Sequence, residues 1–197
     1  MKRIKTRAIR ALLAILVTTP LLVVMTSTQP AFANYFGNGC CTFADNGHHT
    51  FNWDSTEYGT ALAVQYSMSN LNNQTDMTTE WVVPSSQTDN RSYDQHYTTY
   101  WGLDWDGSST GWNLYAYAKC VETTLAGNCQ QWQVRYDLAD MNRFSNYQRQ
   151  QVACHETGHS VGLDHSSEGA SCLRNAVLSA STNYYTSHDR GHINGRW

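Results

Sequence analysis

One short stretch holds the residues whose types and spacing could do chemistry: His155-Glu156-Thr157-Gly158-His159-Ser160-Val161-Gly162-Leu163-Asp164-His165. Side chains four apart on an α-helix lie one above the other, so His155 and His159 can grip one ion from one side. Imidazole nitrogen suits Zn²⁺, and a catalytic zinc takes three protein ligands and keeps one open position. Gly162 permits the backbone conformation that stops a helix and reverses the chain, which brings His165 round as the third ligand. Glu156 is then left over as a general base, and the open position takes the water. A structural zinc site would instead fill all four positions with protein atoms.

A helix must carry the first two ligands. Ser145 or Asn146 is a plausible N-cap, and the helix should run from about Tyr147 to Val161. Val152, His155, Glu156, His159 and Val161 mark its inward side, with Gln148, Arg149 and Gln151 as polar early positions. A second helix is expected near the C-terminus, because Thr186-Ser187-His188-Asp189 has capping-box spacing; it should run through Ile193 and end at Gly195. His188 and His192 lie four apart in it and read as surface or packing residues.

Ahead of the metal helix the chain is strand-rich. Thr50 to Asp54 alternates apolar and polar residues, and Asp76 to Val83 reads as a strand ended by Pro84. Gly59 to Leu71 favours a helix, closed by an Asn70-Leu71-Asn72-Asn73 turn. Tyr93 to Trp105 alternates aromatic and polar residues and reads as one strand; Trp112 to Cys120 and Gln131 to Leu138 add two more. Together they predict an antiparallel or mixed sheet. Asp104-Trp105-Asp106-Gly107 lacks the further acidic ligands of a calcium loop and reads as a turn, so structural Ca²⁺ has no support. His48 and His49 read as surface histidines.

The HExxHxxGxxH pattern of His155 to His165 resembles the metzincin clan of zinc peptidases, and within it the matrixins and the small secreted bacterial peptidases near them. The resemblance is firm over that stretch and softer from Gln131 to Trp197. It implies an α+β fold: a twisted mixed sheet, a zinc-binding helix, and a short C-terminal subdomain ending in a helix, with substrate lying between the halves. It implies one catalytic Zn²⁺ on His155, His159 and His165, with Glu156 as catalytic base, and a protein or peptide substrate. Matrixins also place a methionine turn beneath the zinc. This chain has no methionine after Met141, and Leu173 is the best stand-in. Asp164 is the neighbouring alternative ligand used by snapalysin-like proteases, but His165 occupies the matching position. Tyr184 or Tyr185 could assist at the oxyanion.

The remaining features set an address. Lys2, Arg3, Lys5, Arg7 and Arg10 precede an apolar run and a small-x-small site at Ala31-Phe32-Ala33. Residues 1–33 therefore read as a secretory signal peptide, and 34–197 as a single zinc metallopeptidase domain. Removing five of the thirteen Lys and Arg, and none of the sixteen Asp and Glu, leaves a net charge of about −8. That disfavours nucleic acid and anionic membranes as partners. The expected product is a secreted, extracellular monomer with no membrane anchor. Six cysteines in an exported chain imply disulfides. Cys120 with Cys129 and Cys154 with Cys172 are the favoured pairs; Cys40 and Cys41 stay open. Two other readings fit the sequence: a metzincin-fold binding protein without activity, and a carbohydrate-binding module built on the aromatic strands.

Overall fold

Alternating apolar residues on β7 (Cys129–Asp137) give the sheet a buried face: Trp132, Val134 and Tyr136 are each at most 1% exposed. The structure is a computed structural model. It describes residues 36–37, 41–174 and 182–197. The proposed signal peptide, Cys40 and the start of the mature chain lie outside the described residues. Those that are described fall in one compact unit.

Five strands form the main sheet, in the order β2-β1-β3-β7-β6. Strands β1 (His48–Ser55), β2 (Thr78–Trp81), β3 (Asn90–Gln95) and β7 run parallel, and β6 (Ala116–Thr123) pairs antiparallel with β7. The mixed sheet expected from the sequence is therefore present. Parallel neighbours need a crossover. Helix α1 (Tyr58–Gln74) supplies the one between β1 and β2. Its buried stripe of Ala63, Val64 and Met68 packs with Phe51, Val134, Tyr136, Val152 and Ala153 into the central core.

Three readings need correction. Asn70 to Asn73 is the last turn of α1 rather than a loop. Leu71 is fully buried, and the Asn70 amide donates to Asn183 O at 2.9 Å, so tertiary contacts override the turn propensity of the asparagines. Tyr93 to Trp105 is not one strand. It divides into the end of β3 and a small hairpin, β4 (Thr99–Tyr100) and β5 (Leu103–Asp104), turning at Trp101 (φ 56°) and Gly102 (φ 76°). Two successive positive φ values make the tight turn that suits a two-residue hairpin. His49, finally, is not a surface residue: it is 1% exposed, whereas His48 is exposed and contacts Thr78 and Glu80.

The aromatic strip around the hairpin packs upon itself. Tyr97 and Trp105 stack at 4.6 Å, and the Arg135 guanidinium lies 4.3 Å from the Tyr100 ring and 4.6 Å from Tyr93. These ring faces are occupied, which removes the basis for a sugar-stacking platform there. Asp104 closes β5, so the turn expected over Asp104 to Gly107 begins only after it. The Asp104 carboxylate accepts from Ser109 Oγ, Ser109 N and Thr110 N, and these donors, the Ser109 hydroxyl foremost, hold it well below the usual carboxylate range.

After a short helix, α2 (Leu138–Met141), the Asp137 side chain capping it, helix α3 (Asn146–Ser160) begins with a capping box between Ser145 and Gln148. It is tied down along its length. Met141 O accepts from Arg149 near its start, Ala153 O accepts from Ser67 of α1, and Ser160 Oγ meets His49 Nε2 at 3.0 Å and Asn90 Nδ2 at 3.3 Å. Helix α4 (Ser187–Asn194) has a second capping box, Thr186 with Asp189, as expected. Both expected disulfides are present, Cys120–Cys129 and Cys154–Cys172. Cys41 is disulfide-bonded as well. Leu173, Tyr185, Ile193 and the Cys154–Cys172 pair form a separate core beneath the C-terminal half.

Two predictions follow from these ties. Replacing Cys154 and Cys172 together by serine opens a loop with a sequence separation of 18; the chain-entropy model gives a loss of roughly 3 kcal/mol, read from denaturant unfolding midpoints. His49 gives a pH effect. Burial lowers its folded pKa to about 4 from 6.5. The unfolded chain therefore takes up the proton first, so the stability is full above 6.5 and drains away as pH falls toward 4. Between about pH 7 and about pH 5 the parent should lose about 2 kcal/mol more than His49→Gln. Equal losses in both would mean that His49 does not titrate this way.

Candidate metal centre

Three histidines from two segments meet at one point. His155 and His159 stand on α3, with Nε2 atoms 2.9 Å apart. The His165 ring centroid lies 5.0 Å from each of theirs. One nitrogen from each ring falls within 4.8 Å of the other two, and this is the only such group of three among the described residues. The third ring arrives by a helix stop built as the sequence implied. Gly162 adopts φ 106°, its N–H donates to His159 O, and Leu163 N–H donates to Gly158 O. That pair of bonds is the Schellman motif, in which glycine takes the left-handed position. The chain then returns, with Ser166 N–H donating to Leu173 O at 2.8 Å.

Hydrogen bonding decides which ring nitrogens face the common point. His155 Nδ1 lies 3.0 Å from Cys172 O, and His159 Nδ1 lies 2.7 Å from Leu163 O. A carbonyl can only accept, so both Nδ1 atoms carry the proton and both Nε2 atoms are bare in the neutral rings. Two bare nitrogens at 2.9 Å cannot hydrogen-bond to each other. A cation between them resolves the conflict, so the donor set fits Zn²⁺. Burial pushes the His155 imidazole well below its usual value and lowers His159 to about 4, with the neighbouring histidines adding to both shifts. Neutral imidazole is the form that binds a metal.

Glu156 is 5% exposed, and its Oε2 has no hydrogen-bond partner among the described residues. Burial pushes its carboxyl up to about 8, opposed by the Ala118 backbone on β6. Glu156 and the three histidines line one cavity of about 290 Å³. Its other wall is the Asn113 to Ala118 segment leading into β6, with Gln151, Val152, Cys41, Cys172 and Arg174. Gln151, expected as a polar early residue of the helix, is 4% exposed and sits in this wall with Oε1 unpartnered. The sequence held no signal for the β6 wall, because it is set by which strand ends at the sheet edge.

The remaining expectations divide. Leu173 is fully buried, and a Cβ built on Gly158 would lie 2.8 Å from its methyl carbons. It therefore packs beneath the metal helix between the two ligands, as the methionine stand-in should. Asp164 Oδ1 accepts from His165 N at 2.6 Å and lies 3.8 Å from His165 Nδ1, so it is placed beside the third ring. Tyr185 does not fit the oxyanion role: it is 1% exposed and donates to Cys154 O. Tyr184 is not among the cavity residues; Tyr115 and Tyr117 are. Cys41 Sγ lies 3.3 Å from His159 Nδ1, and as a disulfide sulfur it offers no thiolate.

No curated protein matches the chain. A family model described as Matrixin, however, matches residues 40–194, a span that takes in β1 through α4 and the whole histidine cluster. The chain belongs to the matrixin family of metallopeptidases.

Proposed function

We propose that the protein is a secreted zinc-dependent endopeptidase in which His155, His159 and His165 hold one Zn²⁺ and Glu156 is the catalytic base. The observation that carries this reading is the joint placement, in one cavity, of the three imidazoles and a buried carboxyl whose Oε2 has no partner among the described residues. Bound zinc supplies Lewis acidity, which lowers the pKa of water and polarises a carbonyl. His155 and His159 keep their donor nitrogens aimed by giving their other N–H to backbone carbonyls. Glu156 takes the proton from the attacking water as its oxygen bonds to the scissile carbonyl carbon. It then hands that proton to the amine nitrogen as the C–N bond breaks. Its pKa of about 8 places it near neutrality, and a nearby cation favours its ionised form.

The cavity supports a peptide as substrate. Strand β6 ends the sheet on one side, so its outer backbone groups are unpaired within the sheet. An extended peptide can add to such an edge while alternate side chains fill pockets. Residues 116–118 of that strand line the cavity. Secretion is supported by the charged, then apolar N-terminal sequence and by the disulfides. No described helix is long and apolar enough to cross a membrane. A single catalytic domain over 34–197, acting as a monomer, completes the reading.

The test is protein cleavage combined with zinc content. A chelator should abolish casein cleavage, and added Zn²⁺ should restore it. Glu156→Ala should keep zinc while its turnover falls by about 10²- to 10⁴-fold. Cleavage by that variant at the parent rate would exclude Glu156 as base. A parent that binds zinc and never cleaves would favour a binding protein instead.

A further inference from the structure

Helix α4 repeats the ligand geometry of α3 on a smaller scale. His188 and His192 are four apart, and their Nε2 atoms lie 3.1 Å from each other. Their ring centroids are 4.6 Å apart with planes at 88°. For His155 and His159 the corresponding values are 2.9 Å, 4.5 Å and 87°. Two metal–nitrogen bonds of ~2.05 Å at ~90–110° span ~2.9–3.4 Å between nitrogens, so the α4 pair is spaced to share one ion. Both residues are half-buried.

We propose that His188 and His192 form a second, two-histidine site for a divalent transition ion, Zn²⁺ or Cu²⁺, on the C-terminal helix. Imidazole suits these ions, and Cu²⁺ outranks Zn²⁺ at a given nitrogen site. Asp189 between the two histidines is not a third ligand. It is fully buried, and its Oδ2 accepts from Ser171 Oγ, Thr186 N and Thr186 Oγ1. No third His, Cys, Asp or Glu joins the pair among the described residues, so water must complete the coordination. One ring can also donate to the other through Nε2, a bond the ion has to displace. The α4 site is therefore weaker than the α3 cluster.

The site has a structural consequence. Helix α4 has eight residues, a length at which isolated helices are marginal in water. An ion bridging positions four apart locks one turn of it. The His192 ring also rests 5.6 Å from Phe36, which bridges to Leu163 at the metal-helix exit.

The test uses untagged protein stripped with chelator and then dialysed against graded Zn²⁺ or Cu²⁺. The parent should take up two equivalents, the second more weakly. His188→Ala and His192→Ala should each lose the second equivalent and keep the first, with unchanged circular dichroism. With two equivalents of Cu²⁺, electron paramagnetic resonance should show two nitrogen-ligated signals in the parent, of which both variants lose one and keep the other. The proposal is overturned if the parent saturates at one equivalent, or if the second persists in both variants. It is also overturned if both variants lose both equivalents, since α4 would then hold no independent site.

Discussion

Two backbone carbonyls, Cys172 O and Leu163 O, govern the centre of this molecule, because they decide which nitrogen of His155 and His159 is bare. Much of the C-terminal half serves to place those two oxygens. Leu163 is fixed by the glycine stop after α3, where Gly162 takes a backbone shape that a side chain would disfavour. Cys172 is fixed by its bond to Cys154, one residue before the first imidazole. Leu173, next along, fills the space against Gly158 and leaves no room for a larger residue on that face of the helix. The orientation of the rings is thus a property of the loop as much as of the helix that bears them.

The other half of the molecule supplies environment. Tyr136, Ala116 and Val134 bring the sheet against α3, and the carboxyl of Glu156 is enclosed between helix and strand. Desolvation lifts its pKa to about 8 against the opposing Ala118 backbone, without a second acid beside it. At the far end of the helix, Ser160 is held by residues of β1 and β3, so the sheet sets the height at which the metal helix sits.

The histidine cluster was legible in the sequence because it depends on local spacing: His155, His159, Gly162 and His165 sit within one helix and one turn. The N-cap at Ser145 or Asn146 and the capping box at Thr186 were legible for the same reason, and so were the two disulfides that close short loops. What was lost depends on distant partners. Asn70 to Asn73 looks like a turn until Asn183 and a buried Leu71 hold it helical. His49 looks exposed beside His48 until Ser160, 111 positions away, meets its ring. The alternating aromatics of 93–105 are compatible with one strand or with a strand and a hairpin, and only Gly102 hinted at the break. Parallel strand order leaves no trace in periodicity, so the cavity wall formed by β6 could not be read.

Strand β6 has one more consequence, for solubility. An unpaired sheet edge is a template for other copies of the same chain, and natural proteins blunt such edges with charge and irregularity. Here the exposed Lys119 stands in the run, the pairing with β7 slips at Cys120/Glu122 and again at Glu122/Thr123, and the Cys120–Cys129 bridge pins that irregular end. Regular edge is left only from Ala116 to Cys120. That leaves less unbroken edge than the roughly six or seven residues typical of a fibril-forming segment.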